Sequence, residues 1–435
     1  MKRKAPARIA AAAAAVTLAL SACSASPPAL LKADGVERVS ADRSAYPAEL
    51  AQLRTSARKL GAALLADGGD AGNGNVVASP GSLLIALAML RAGASGATAA
   101  EMDRAPGLPA EHRDEAGNAL LASLEAFDGD PGSVDEKNPP RRPVLHTANG
   151  LFVDRSVPTR EGYLRSLARY YGTGVYPVDF QDETATKPAI DAWVDKNTGG
   201  RIKKAPAGYR QVNTLSVLNA VYFAAAWKVP FDPADTSDLP FTTADGSQVS
   251  VPTMSGVQDV ASVQGASWEA VDLPYADGFV MRLVLPDAGA GRAAGAAQAA
   301  GAAAQDLSDA ARALEAAAPS PTQLYLPRWD QKSNFELRKV FAGLGLQGML
   351  NTETGFNSIQ RGLKTQQAGQ SANITVAEKG TVAAAVTQIN ARAVSGTAPM
   401  KVIRFDRPFY YEIVHVETGL PLFMGRVSDP SATGL

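Results

Sequence analysis

Cysteine occurs once in 435 residues and histidine three times, and these scarcities remove whole classes of chemistry. With Cys23 alone there is no disulfide to staple an exported domain, so the fold must stand on its hydrophobic core. His112, His146 and His415 stand at no metal-ligand spacing from one another or from the cysteine, so no metal is expected. A Gly-x-Ser-x-Gly elbow, a Walker loop and a dinucleotide fingerprint are all missing, and no cofactor is expected. Acidic pairs such as Asp182-Glu183 read as loop charges rather than a catalytic dyad. The formal net charge is only -1, which leaves no electrostatic reason to expect a nucleic-acid partner.

Core-forming material is plentiful. Hydrophobic residues make up 46 % of the chain and charged residues 20 %, the balance of a soluble globular protein. Length alone allows roughly two to four domains, although large single domains are common.

The N-terminus reads as a targeting segment. Lys2, Arg3, Lys4 and Arg8 precede an apolar stretch, Ile9 to Leu20, that is too short to span a bilayer comfortably. Leu20-Ser21-Ala22-Cys23 follows and resembles the lipobox of bacterial lipoproteins, in which the cysteine becomes the acylated first residue. The expectation is a signal peptide over 1–22, lipidation at Cys23 and a flexible tether over 23–45. The chain would then be exported and held by its lipid outside the cytoplasmic membrane, in the envelope or at the cell surface. Removal of 1–22 takes four basic groups and no acidic ones, leaving a net charge of -5.

A single domain is expected over 46–432. Leu50, Leu53, Ala57, Leu60 and Leu64 recur at helical spacing, and Ser79-Pro80 opens a second helix through Leu83, Leu84, Leu87 and Leu90. Strand character runs over Val144–Val153, Ser216–Phe223, Ala270–Tyr275, Val280–Leu285, Leu324–Trp329 and Phe409–His415. Gly129–Pro143 and Ala288–Ala304 are low in complexity and read as peripheral, with helical periodicity returning over Leu307–Ala317. Helices and strands come in blocks rather than in alternation, which predicts an α+β class. Trp193, Trp227, Trp268 and Trp329 are core anchors in any such fold.

An ordered set of blocks between roughly residues 47 and 430 resembles the serpin family. Asn219-Ala-Val-Tyr-Phe-Ala-Ala-Ala-Trp227 with Phe231, Thr236 and Phe241 is one. Phe405-Asp-Arg-Pro408-Phe409 and Pro421-Leu-Phe-Met-Gly425-Arg-Val-Ser-Asp-Pro430 are closer still. Supporting blocks include Ser79-Pro80-Gly81-Ser82, Tyr170-Tyr171-Gly172, Leu273-Pro274-Tyr275 and Leu324 to Trp329. The resemblance implies the serpin fold: three β-sheets, about eight to nine helices and an exposed reactive-centre loop, here about 378–400. It also implies a polar cluster of Ser79, Ser82 and Asn219 where the central sheet opens. The family usually has a histidine on the strand leading to the loop, where this chain has Gln370, an amide that does not titrate. Glu378 is expected to pair with Arg328 at the top of the sheet, near Trp227.

Glu378 to Thr387 carries no proline and, after Lys379, no charge or large side chain. An extended strand turns alternate residues to one face, here Thr381, Ala383, Ala385 and Thr387, all small enough to enter a packed interior. Gly380 supplies the bend. In the serpin frame this is the hinge of an inhibitory member of bacterial type. The resemblance implies that a protease cuts the loop, is acylated by it and is trapped as the loop enters the sheet. The family's hinge spacing puts the scissile bond at Val394-Ser395, with Arg392-Ala393 the alternative. Val394 suits elastase-like or subtilisin-like serine proteases and Arg392 trypsin-like ones, with cysteine proteases a further class. The protein is expected to be a monomeric inhibitor rather than an enzyme, touching membrane only through its lipid. The competing expectation is a non-inhibitory serpin acting as a cell-surface binding protein.

Overall fold

The computed structural model describes residues 25–70, 74–135, 137–206, 208–212, 214–288, 296–381 and 400–432. Nine α-helices lie among them: α1 Pro47–Asp67, α2 Pro80–Ala92, α3 Gly96–Arg104, α4 Arg113–Leu124, α5 Glu161–Tyr171, α6 Glu183–Asn197, α7 Ala296–Glu315, α8 Leu337–Gly343 and α9 Gln347–Asn351. The strands are β1 Val76–Ala78, β2 Val144–Asp154, β3 Tyr176–Val178, β4 Leu215–Ala226, β5 Ser237–Thr242, β6 Gln248–Gln264, β7 Trp268–Pro274 and β8 Phe279–Pro286. They continue with β9 Ser320–Pro327, β10 Trp329–Glu336, β11 Thr365–Ala377, β12 Gly380–Thr381, β13 Lys401–Arg404, β14 Phe409–His415 and β15 Leu420–Val427.

Three sheets result. The central one runs β10-β11-β12-β4-β2-β3. The long strand β6 is shared by the other two: its first part pairs with β5 and β9, and Ala261–Gln264 pair with β7 to begin the path β7-β8-β14-β15-β1. β13 closes the β9 edge. Strand β4 is buried along its whole length, which accounts for its nearly unbroken apolar run. Its inward residues Val217, Val221, Phe223 and Ala225, and Trp227 just beyond its end, join the main core. Its outward Leu218 and Ala220 lie beneath α6, against Ile190 and Trp193.

Several sequence expectations change. Residues 31–45 lie on the domain rather than in a tether. Leu31 exchanges backbone hydrogen bonds with Val175, and Arg38 donates to the Asn118 side chain at 2.6 Å. Ala33 is buried and Val36 packs on the core, so these contacts offset the entropy of ordering the arm. The run Leu324–Trp329 spans two strands, the end of β9 and the start of β10. Helix α7 begins at Ala296, inside the tract read as peripheral, because alanine favours helix even without an apolar stripe. Ser79 precedes α2, but its hydroxyl donates to the Leu422 carbonyl at 2.6 Å instead of capping the helix. Gly129–Pro143 is solvated along most of its described length, as expected, but Pro131, Pro139 and Pro143 are buried and anchor it to the domain.

Candidate functional site at the mouth of the central sheet

Strands β4 and β11 run parallel and touch directly from Leu215/Thr365 to Ala220/Ser371. Asn219 stands where the inward pattern of β4 would place an apolar side chain, and a buried amide there requires partners. It has them. Its Nδ2 donates to the Ser82 hydroxyl and, at 2.7 Å, to Asn149 Oδ1. Across the ladder, Gln370 Nε2 donates to Asn219 Oδ1 and to the Ser79 carbonyl, both at 2.8 Å. The Ser79 backbone N–H returns a bond to Gln370 Oε1 at 2.9 Å. Ser79, Ser82, Asn219 and Gln370 thus form one buried network straddling the seam between the two strands.

Above Ala220 and Ser371 no direct rung joins β4 to β11 among the described residues. At the upper end the chain leaves β11, turns through Glu378 and Lys379, and returns as β12 between the two strands. Val376 pairs with Thr381 and Ala377 with Gly380 on one side; Ala225 pairs with Thr381 and Ala226 with Gly380 on the other. Both pairings are antiparallel. Gly380 has φ 153°, and a Cβ there would collide with the Ala225 carbonyl oxygen. Only glycine fits such an approach.

Aromatic packing defines the floor of this mouth. Trp227 is fully buried, donates its indole N–H to the Ala377 carbonyl at 2.9 Å and stacks on Tyr275 with centroids 4.4 Å apart. The Tyr275 hydroxyl lies 2.5 Å from Thr381 Oγ1, so Thr381 points into the core. Burial pushes the Tyr275 phenol up and the Thr381 bond acts in the opposite sense. Backbone bonds complete the turn: Trp227 N–H donates to the Lys379 carbonyl and Phe231 N–H to that of Glu378, each at 2.9 Å.

The Glu378 side chain is buried in this turn. Its carboxylate forms an ion pair with Arg328 at 3.1 Å and accepts from the Thr236 hydroxyl at 2.8 Å. Arg328 is partly exposed, with 35 % of its side-chain surface open. The pair therefore spans the boundary between solvent and core. Thr236 and Tyr275 were legible only as parts of the Thr236 and Leu273-Pro274-Tyr275 blocks, not as partners of Glu378 and Thr381.

Val394, Ser395, Arg392, Ala393, Ala383, Ala385, Thr387 and Cys23 lie outside the described residues. The structure brings together the other expected residues, in two groups. Glu378, Gly380, Thr381, Trp227 and Arg328 surround the mouth, and Ser79, Ser82, Asn219 and Gln370 close the seam below.

A family model described as Serpin (serine protease inhibitor) matches residues 56–430. An uncharacterised serpin-like protein of Thermococcus kodakarensis is 31 % identical over 371 residues, covering 82 % of this chain and 81 % of the relative. Alpha-1-antitrypsin 1-4 of Mus musculus is 28 % identical over 367 residues, covering 82 % and 84 %. Among solved structures, the thermophilic serpin tengpin in its native state superposes with TM-score 0.77 at 21 % identity, over 93 % of this chain and all of the other. Thyroxine-binding globulin in complex with thyroxine gives TM-score 0.71 at 22 % identity, over 88 % of this chain and 99 % of the other.

Proposed function

The chain belongs to the serpin family, and on that premise we propose that it is an irreversible suicide-substrate inhibitor of serine proteases, with cysteine proteases a further target class. The observation that carries this reading is the inward placement of Thr381 on a strand that has already entered the sheet. Continued in the same register, a strand following Thr381 would set Ala383, Ala385 and Thr387 on the same inward face. Each is small, and none brings a charge or a proline into the interior.

The chemistry then runs as follows. A protease attacks the loop as it would a substrate, and the acyl-enzyme forms with release of the new N-terminus on the downstream side. The freed upstream strand zips downward from β12, and the seam at Gln370 and Asn219 must part to admit it. New backbone hydrogen bonds along both neighbours drive the step, and the captured enzyme travels with the loop. A metastable fold held by kinetic trapping is what such a device needs.

The bond proposed to be cut is Val394-Ser395, which favours elastase-like and subtilisin-like enzymes; Arg392-Ala393 would favour trypsin-like ones. The lipobox-like segment supports tethering through Cys23 outside the cytoplasmic membrane, and we propose that the tethered inhibitor is a monomer. Incubation with elastase, subtilisin and trypsin, read by denaturing gel and by the mass of the released fragment, tests the reading. Covalent complexes and a fragment starting at Ser395 are expected. A fragment starting at Ala393 moves the bond to Arg392. Cleavage with no covalent complex and no gain in thermal stability returns the protein to the non-inhibitory, binding class.

A further inference from the structure

The segment between α4 and β2 makes an unexpected set of contacts. Its two ends are close, since a Cβ on Gly129 would lie 3.2 Å from the Val144 side chain, and the described residues between them form a compact loop of the Ω type. The loop lies across the outward face of β4. Val134 packs on Tyr222 and Ala224, and the Pro140 carbonyl accepts the Ala226 N–H at 2.9 Å, a bond to the end of β4 outside the β2 ladder. At its other side Pro131 occupies the space that a Cβ on Gly199 would need, just beyond α6. The ring nitrogens of His146 on β2 lie 3.0 Å from Asp128 Oδ1 and 2.9 Å from Asn197 Oδ1, linking the base of the loop to the end of α6.

The tip of the loop reaches the hinge. Lys379 Nζ donates to Asn138 Oδ1 at 2.9 Å and to the Lys137 carbonyl at 3.3 Å. Asn138 is oriented for this contact: its Nδ2 donates to Asp135 Oδ2 at 2.8 Å, which leaves Oδ1 facing Lys379. The Lys137 N–H also bonds Asp135, at 3.0 Å, so one carboxylate organises the turn. Those hydrogen bonds hold the Asp135 carboxyl below the usual carboxylate range, and the positive charges of Lys137 and Lys379 act in the same direction.

We propose that residues 128–143 form a strap that seats the hinge, holding Gly380 and Thr381 between β4 and β11 so that loop insertion starts from a nucleus already formed. The strap is fixed to one lip of the mouth through Ala226 and grips the hinge through Lys379. Separating the hinge from β4 therefore breaks contacts on both. Starting insertion from an existing pair of rungs removes the costly first step of zipping, so capture of a cleaved loop competes better with release of the protease. This role in capture rests on the inhibitory reading; the seating itself does not.

Backbone amide exchange of the intact protein tests the seating without any protease. Two variants serve: Lys379→Ala, and a replacement of 129–142 by a short Gly/Ser link, with Lys379→Arg as the conservative control. Lys379→Ala is expected to speed exchange about two- to tenfold in the segments containing Trp227, Phe231 and Thr381, the effect of losing one exposed charged contact. The link variant should exceed that, Lys379→Arg should stay near wild type, and segments 215–220 and 365–371 should not change. Unchanged exchange at Trp227 and Thr381 in both variants overturns the proposal. So does acceleration that spreads equally into 215–220, since that is general loosening. The fraction of loop cleaved without capture should rise in Lys379→Ala. A protein that shows the local exchange change but traps no protease would instead sink the inhibitory reading and leave the strap standing.

Discussion

Gln370 of β11 stands directly opposite Asn219 of β4 and donates to its side-chain oxygen at 2.8 Å, one rung below the point where the two strands part. The seam is therefore closed by neutral amides that hold one another, Ser79 and the first turn of α2. Replacing Gln370 with leucine leaves the Ser79 N–H and the Asn219 oxygen buried without this partner. A loss of about 1–3 kcal/mol is expected in urea unfolding, from leaving buried polar groups unpaired. Exchange should accelerate first at 219–220. Gln370→His would add a group with an ordinary pKa near 6.5, so the insertion rate should gain a pH dependence around that value that the natural amide lacks. An equally pH-dependent wild type would contradict this account of the seam.

Gly380→Ala is expected to expel the hinge. The added methyl collides with the Ala225 carbonyl, and alanine resists the positive φ. Limited proteolysis should cut earlier and closer to residue 380, while the thermal midpoint before loop cleavage moves little. If proteolysis at the hinge keeps its wild-type rate, the close approach of β12 to β4 is not what holds the strand.

Arg328→Ala leaves the buried Glu378 carboxylate with Thr236 as its remaining side-chain partner among the described residues. The expected cost is about 1–3 kcal/mol, more than for a fully exposed pair because one partner is desolvated. Spontaneous insertion and self-association on mild heating should both quicken, as read by size-exclusion chromatography and native gels. Unchanged rates would assign the pair no part in gating the sheet.

Glu412 on β14 offers a test by pH. Its carboxyl is fully buried, and both oxygens lack hydrogen bonds among the described residues; Arg58 and Arg282 approach only to 3.8 Å. Burial pushes this carboxyl above its ordinary value of 4.5, against the attraction of the two arginines. A raised folded pKa means that the folded state binds the proton more tightly than the unfolded chain. The contribution to stability is then complete below 4.5 and is lost as pH rises from there through the folded value. Glu412→Gln should match wild type in acid and be the more stable of the two at pH 7, by differential scanning fluorimetry. A variant less stable than wild type at pH 7 would show that the arginine contacts outweigh the burial.

Much of the fold was readable because its signals are local. The stripe of α1, the apolar run of β4 and the four tryptophans depend on side chains a few residues apart, and all take up core positions. β6 was missed because Pro252 and Gly256 interrupt its alternation, and its length comes from pairing with strands far away in sequence. The arm at 31–45 reads as part of a tether because alanine, serine and charge recur there without apolar periodicity, and 129–143 reads as solvated because aspartate, proline, glycine and paired arginines dominate it. Their order is supplied from outside, by Val175 and Asn118 for the arm and by Tyr222, Ala226 and Lys379 for the strap.

The sequence by itself determined the chemical character of the hinge. A run of small uncharged residues after Glu378 can enter a packed sheet, and no rearrangement of the rest of the chain alters that property. Only the tertiary structure decided that Gly380 and Thr381 stand between β4 and β11 and what keeps them there. Those depend on contacts such as Thr381 with Tyr275, Gly380 with Ala225, and Lys379 with Asn138, which join residues 106, 155 and 241 positions apart. Side-chain size is carried by each residue alone, whereas register and depth exist only once distant segments share one sheet.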